Sequence, residues 1–217
     1  MQIDLGDLAR DLVPGASVAV NGTCLTATWV SNGRAGFDVI RESMLRSNLG
    51  SVEVGDLANV ERSLKFGDEI GGHVLSGHIA DVVTVAQIDE GANERTVWFD
   101  VPAQWLAFLF HKGFIALDGA SLTISAIDRT RGRISVSLIP ETISRTSLGR
   151  VVVGDRVNLE IDVQTQTIVS TVERLLSDPM GRDFITFPQA AAFLCAALVH
   201  DLGHFRLLHK YASVAHF

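Results

Sequence analysis

The chain has 217 residues, enough for one or two domains, and 47% of them are hydrophobic, so it can bury sizeable cores. A net charge of −7 and the lack of any Lys/Arg-rich run argue against a broad nucleic-acid footprint. The longest apolar run, 190–199, is too short to cross a bilayer, and "MQIDLGDLAR" shows no signal-peptide pattern. The two cysteines, Cys24 and Cys195, lie in unrelated segments, as in proteins of a reducing compartment. The expectation is a soluble cytoplasmic protein without membrane or nucleic-acid partners.

In chain order, "SVAV" (17–20) and "TCLT" (23–26) flank Asn21-Gly22. Asn-Gly between apolar runs is a hairpin signal, because a type I′ turn needs positive φ at both central positions. "GFDVI" (36–40) and "ANVER" (58–62) read as strands, with "RESMLRSN" (41–48) a short helical turn between them. "GGHVLSGHIAD" (71–81) is polar, glycine-rich and holds two histidines. "FIAL" and "ASLT" flank Asp118-Gly119 in a second hairpin. "RISVSLI" (133–139) and "RVNLEIDV" (156–163) are strands, and "PETISRTS" (140–147) is a helical turn with Pro at its start. "TQTIVSTVERLL" (165–176) spaces Ile168, Val169, Val172, Leu175 and Leu176 as an amphipathic helix. "PQAAAFLCAALV" (188–199) reads as a short apolar helix.

The elements come twice. "VNGTCLT" (20–26) recurs as "LDGASLT" (117–123), 97 positions on. "FDVIRESMLRSNLG" (37–50) recurs as "VSLIPETISRTSLG" (136–149), and "VGDLANVE" (54–61) as "VGDRVNLE" (153–160), both 99 positions on. Three blocks in one order indicate a duplication with a period far above that of solenoid repeats, so each copy is a small domain. Many short strands and glycine-rich turns predict a mainly β fold of two tandem barrels followed by C-terminal helices. The expected divisions are 1–73, 74–164 and 165–217.

Several residues are candidates for chemistry. Cys24 and Thr26 are two apart and share a strand face, as do Ser121 and Thr123 in the second copy. Two small hydrogen-bonding side chains beside a tight turn can grip a polar heterocycle; residues of this kind also simply bond local backbone. His73 and His78 differ by five positions and face opposite sides of an extended segment, which argues against a shared metal. Histidine suits general acid–base work, although a turn histidine with no chemical role fits equally. Lys112 is a site candidate or a solvated lysine. His200 and His204 have an i, i+4 spacing, but no clear third ligand follows, so no metal site is expected.

The blocks "SVAVNGTCLT", "ERSLKFGDEIGGHVLSGHIAD", "KGFIALDGASLT", "LIPETISRTSLG" and "NLEIDVQTQ" closely resemble the riboflavin synthases of the lumazine-binding family, over about residues 15–176. The resemblance implies two Greek-key barrels and a homotrimer supported by the helix after the second barrel. It implies a transferase that dismutates two molecules of 6,7-dimethyl-8-ribityllumazine into riboflavin and 5-amino-6-ribitylaminouracil, without cofactor or metal. Association with lumazine synthase is implied as well. Carried over by motif, Ser17, Cys24, Thr26, His73 and His78 match the N-terminal site. Lys112, Ser121, Thr123, Ile139, Thr142 and Asp162 match the C-terminal pocket. Cys24 with the histidines is the best candidate for affecting rate.

One departure stands out. The family opens with a Met-Phe-Thr-Gly-Ile-Val strand, and the counterpart of Ser76 in the first copy falls before residue 1. "QIDL" then corresponds to a second strand. The expectation is an N-terminal barrel without its first strand, with an open edge and weakened turnover. A lumazine- or flavin-binding protein that does not catalyse is the alternative, and an assembly or regulatory paralogue would follow if the tail replaced the lost strand.

Overall fold

The computed structural model describes residues 1–92 and 94–177 and the backbone of 213–216. The first half supplies β1 (Gln2–Asp4), β2 (Ser17–Val20), β3 (Thr23–Ser31), β4 (Arg34–Phe37), α1 (Arg41–Arg46) and β5 (Leu57–Arg62). The second supplies β6 (Asp81–Glu90), β7 (Arg95–Asp100), β8 (Phe114–Leu117), β9 (Ala120–Asp128), β10 (Arg133–Leu138), α2 (Pro140–Arg145) and β11 (Arg156–Ile161). Then come α3 (Val163–Ser177) and β12 (Ser213–His216). "GFDVI" was expected to be extended to residue 40; the strand stops at Phe37, and Ile40 leads into α1. The helix expected over 188–199 and the pair His200 and His204 lie outside the described residues.

Each half closes into a six-stranded barrel, in the order β1-β12-β5-β2-β3-β4 for the first and β10-β7-β6-β11-β8-β9 for the second. Matched through the repeat, β1 takes the place of β7, as "QIDL" predicts, and β12 takes the place of β6. The register agrees too. Ser213 lies opposite Val60 and His216 opposite Leu57, while Asp81 lies opposite Leu159 and Thr84 opposite Arg156, the same rungs 99 residues on. Residues 1–62 thus supply five strands, and no first strand comes from that segment. The expected open edge is corrected: β12 hydrogen-bonds to both β1 and β5 and closes the sheet. The Ala-rich stretch read as a helix, 188–199, lies upstream of the four residues that form the strand.

Alternating side chains fill both interiors. Ile3, Val18, Val20, Leu25, Phe37 and Val60 line the first, and Val97, Phe99, Ile115, Leu117, Ile124, Ile134, Leu138 and Leu159 the second. Among the described residues the first core is smaller. Ala27, Ala35 and Ala58 stand where Ile124, Ile134 and Val157 stand in the second, and all six are buried. With burial of a large aliphatic side chain contributing about 1.5–3 kcal/mol, these three positions stabilise the N-terminal barrel less than their counterparts stabilise the second.

The two hairpin turns meet at the seam between barrels. Asn21 and Asp118 both have φ +45°, followed by Gly22 at +76° and Gly119 at +77°, as type I′ turns require. A Cβ on Gly22 would lie 2.7 Å from the Gly119 nitrogen, and one on Gly119 2.8 Å from the Gly22 nitrogen, so only glycine permits this contact. The surrounding hydrogen bonds come in pairs. Asn59 Nδ2 donates to the Asp118 carbonyl at 2.9 Å, and Asn158 Nδ2 to the Asn21 carbonyl at 2.8 Å. Ser147 N donates to Asn59 Oδ1 at 2.7 Å, and Asn48 N to Asn158 Oδ1 at 2.6 Å. The duplication therefore builds a pseudo-two-fold molecule.

Candidate functional site

Cys24 and Thr26 lie on the outer face of β3, because Thr23, Leu25 and Ala27 take the alternate, buried positions. Ser17 on β2 is directly opposite Thr26, so Ser17, Cys24 and Thr26 share one exposed surface. In the second half Ser121 and Thr123 alternate with buried Ala120, Leu122 and Ile124 on β9, and Phe114 stands opposite Thr123 where Ser17 stands in the first. The structure thus places the sequence-predicted pairs on equivalent faces.

Residues 63–80 join the barrels and run over these faces. A cleft of about 160 Å³ is lined by Ser17, Cys24, Glu61, His73, Ser76 and Ser121, among others. His73 Nδ1 lies 2.7 Å from Ser121 Oγ, and the same hydroxyl accepts the His73 backbone N–H at 3.2 Å. A serine hydroxyl has one proton to give, so the arrangement that satisfies both contacts has Ser121 donating to Nδ1. The ring stacks on Phe114 at 5.1 Å. Burial lowers the His73 pKa to about 4, against the opposing charge of Asp162, so the imidazole is neutral at physiological pH. Its Nε2 is buried without a hydrogen-bond partner among the described residues.

The remaining predicted residues are spread more widely. His78 is exposed, its backbone N–H reaching Ser76 Oγ at 3.3 Å, and it does not line the cleft. Asp162 caps α3, its Oδ2 accepting from Thr165 N at 2.8 Å and Thr165 Oγ1 at 2.7 Å. Lys112 is exposed in the turn before β8 with φ +66°. Ile139 is half-exposed just ahead of α2, and Thr142 is buried within it. A larger hollow, about 770 Å³, lies beside β1 and α1 and contains none of the predicted residues. No cluster of three or more His, Cys, Asp or Glu side chains suited to a metal occurs among the described residues.

A family model, that of the lumazine binding domain, matches residues 1–63 and again 76–162. The chain belongs to the lumazine-binding family. It is 49% identical over 177 residues to riboflavin synthase of Escherichia coli (strain K12), an overlap covering 81% of this chain and 82% of that one. It is 44% identical over 172 residues to riboflavin synthase of Chlamydia pneumoniae, covering 79% and 82% respectively. Two solved structures share the fold. LumP complexed with 6,7-dimethyl-8-(1′-D-ribityl) lumazine matches with a TM-score of 0.64 at 25% identity, covering 72% of this chain and 82% of that one. LumP complexed with riboflavin matches with a TM-score of 0.65 at 28% identity, covering 72% and 83%.

For this member of the lumazine-binding family the residue-by-residue reading missed Glu160. Its Oε1 accepts from Ser76 N at 2.6 Å, Ser76 Oγ at 2.8 Å and Gly77 N at 3.2 Å, inside a strand whose neighbours are buried. The signal was in the repeat: a glutamate ends both copies of the third block, at Glu61 and Glu160. The seam residues Asn48, Asn59 and Asn158 were missed for a different reason. Their partners are up to 137 residues away, beyond any local pattern.

Proposed function

We propose that this member of the lumazine-binding family converts two molecules of 6,7-dimethyl-8-ribityllumazine into riboflavin and 5-amino-6-ribitylaminouracil, one molecule giving a four-carbon unit to the other. The observation that carries the reading is the repeated polar pair, Cys24 with Thr26 and Ser121 with Thr123, on equivalent outward faces of equivalent hairpins. Donor and acceptor are the same compound, so the reaction calls for two similar faces. Similarity to riboflavin synthases at 39–49% identity supports it.

In this reading Ser17, Cys24 and Thr26 hold one ligand with His78 at its edge, and Lys112, Ser121, Thr123, Ile139, Thr142 and Asp162 hold the other; His73, expected at the edge of the first, sits on Ser121 and Phe114 at the edge of the second. The first task of these residues is orientation, which alone can supply about 7–11 kcal/mol of a bimolecular barrier. The second is proton transfer at the acidic 7-methyl group. Histidine is a side chain suited to proton transfer, and His73 and His78 are the candidates for that role. The third is assistance to a nucleophile at C7 of the partner ligand. A homotrimer that brings the N-terminal face of one subunit against the C-terminal face of the next belongs to the same proposal, as do a cytoplasmic location and association with lumazine synthase. The half-buried Ile168, Val169, Val172 and Leu175 on α3 offer the apolar surface a trimer needs.

The solved LumP complexes with lumazine, riboflavin and flavin mononucleotide support binding of such ligands, and a protein that binds them without turnover is the second reading. One experiment separates the two. Purified protein is mixed with 6,7-dimethyl-8-ribityllumazine, and riboflavin formation is followed beside ligand fluorescence. Turnover supports the enzyme; saturable quenching with no riboflavin supports the binder. The expectation of weak turnover rested on an open barrel, and with β12 in place it rests on how firmly four strand residues hold.

A further inference from the structure

The outer rows of the two sheets correspond rung for rung. Cys24, Ala19 and Glu61 lie side by side across β3, β2 and β5, and Ser121, Ala116 and Glu160 across β9, β8 and β11. Cys24 and Ser121 are thus the same position in two faces, and residues 71–77 touch both. At one end, Gly72 packs on Ser121 and His73 bonds its hydroxyl. At the other, the Gly77 carbonyl accepts the Cys24 backbone N–H at 3.0 Å.

Both contacts depend on glycine. Gly72 and Gly77 have φ of +75° and +77°, and a Cβ would fall 2.3 Å from Ser121 Oγ at the first and 2.5 Å from Cys24 Cβ at the second. Between them, Glu160 Oε1 gathers the three donors of Ser76 and Gly77, while its Oε2 is buried with no partner among the described residues. A buried carboxylate used this way is a strong anchor, since hydrogen bonds to a charged acceptor exceed neutral ones.

We propose that residues 71–77 form a strap that couples the two faces within one chain, with Glu160 as the positioning residue that holds it. A ligand arriving at Ser121 displaces His73, the strap lifts, and the Cys24 amide is released for the ligand of the other face. The two pockets of one chain then fill in concert. This consequence rests on reading the two faces as ligand pockets, but the coupling itself is testable without ligand, so the two can fail separately.

The test is amide hydrogen exchange at Cys24 in the full chain, comparing S121A, G72A, E160A and E160Q. Ser121, Gly72 and Glu160 all belong to the second face or the strap, and none touches the Cys24 amide. Loss of two strap hydrogen bonds in S121A and three in E160A, and the clash with Ser121 in G72A, raise Cys24 exchange about fivefold or more, with amides inside β2 and β5 unchanged. E160Q keeps an oxygen acceptor for Ser76 and Gly77 but loses the charge, and brings exchange to a rate between those of E160A and the wild type, which a general loss of stability would not do. Unchanged Cys24 exchange in folded S121A and G72A overturns the proposal, even if E160A fails to fold. Faster exchange spread over the whole N-terminal barrel, and not confined to Cys24, overturns it as well.

Discussion

Asp118 shows what the duplication costs when its symmetry is broken. Asn21 holds the same turn position in the first half, and each uses Oδ1 to accept the backbone N–H of a strand asparagine, at 2.9 Å from Asn59 and 2.8 Å from Asn158. Asp118 is buried in the seam, and loss of solvent raises its pKa to about 7, against the opposing hydrogen bonds from Asn158 and Asn48. From about pH 4 to 7 the unfolded chain gives up this proton while the folded chain keeps it. Stability therefore falls as pH rises through that window, and the deficit is complete above it. Asp118→Asn keeps the Oδ1 acceptor and removes the titration. It is expected to stabilise the protein at pH 8 by a few kcal/mol and to change little at pH 4, as measured by denaturant unfolding. Equal stability of the two proteins at pH 8 would refute the assignment. The back-to-back glycines give a second expectation. Gly119→Ala puts a Cβ within 3 Å of the Gly22 backbone at a φ of +77°, and should destabilise by about 2 kcal/mol or more in the same assay. The turns themselves were legible in the sequence, because Asn-Gly and Asp-Gly carry their own conformational demand. Their meeting was not, because it depends on how two finished barrels dock.

Among the elements, β12 carries the most consequence. It bonds on both sides, to β1 through Asp4 and His216 and to β5 through four rungs, and it lies at the register that β6 holds in the other barrel. It closes the half whose core has three alanines in place of larger residues. Removing residues 213–217 should expose unpaired edges on β1 and β5, raise their amide exchange at least tenfold, and leave β7 and β11 protected. Equal protection of β1 and β5 in the shortened chain would show that β12 contributes nothing. The repeat made clear that a place in the first barrel stood unfilled by residues 1–62, since the blocks run at a constant offset. Nothing local marks Ser213–His216 as its occupant: four residues are too few for a two-residue periodicity to stand out. Glu160 was hidden differently. A charged residue in a strand reads as solvent-facing, and only the strap's donors make its burial tolerable.

Over the whole molecule, the proposed function rests on two equivalent faces on one chain, with α3 available to bring faces of different subunits together. α3 packs against the short helical segment Ala103–Phe108 and has no buried residue. If the proposed trimer forms, Val169→Asp with Val172→Asp should convert it to monomer in light scattering and abolish turnover, while binding at each face persists; a monomeric wild type at tens of micromolar would count against the shared site. The most direct measurement is stoichiometric. Riboflavin produced and 6,7-dimethyl-8-ribityllumazine consumed are quantified for the wild type and for the double variants C24A/T26A and S121A/T123A. The account predicts one riboflavin for every two lumazines, and a loss on the order of a hundredfold in each double variant, because displacing either ligand spoils their mutual orientation. A wild type that saturates with lumazine yet forms no riboflavin, or a variant of either face that retains full turnover, would contradict it.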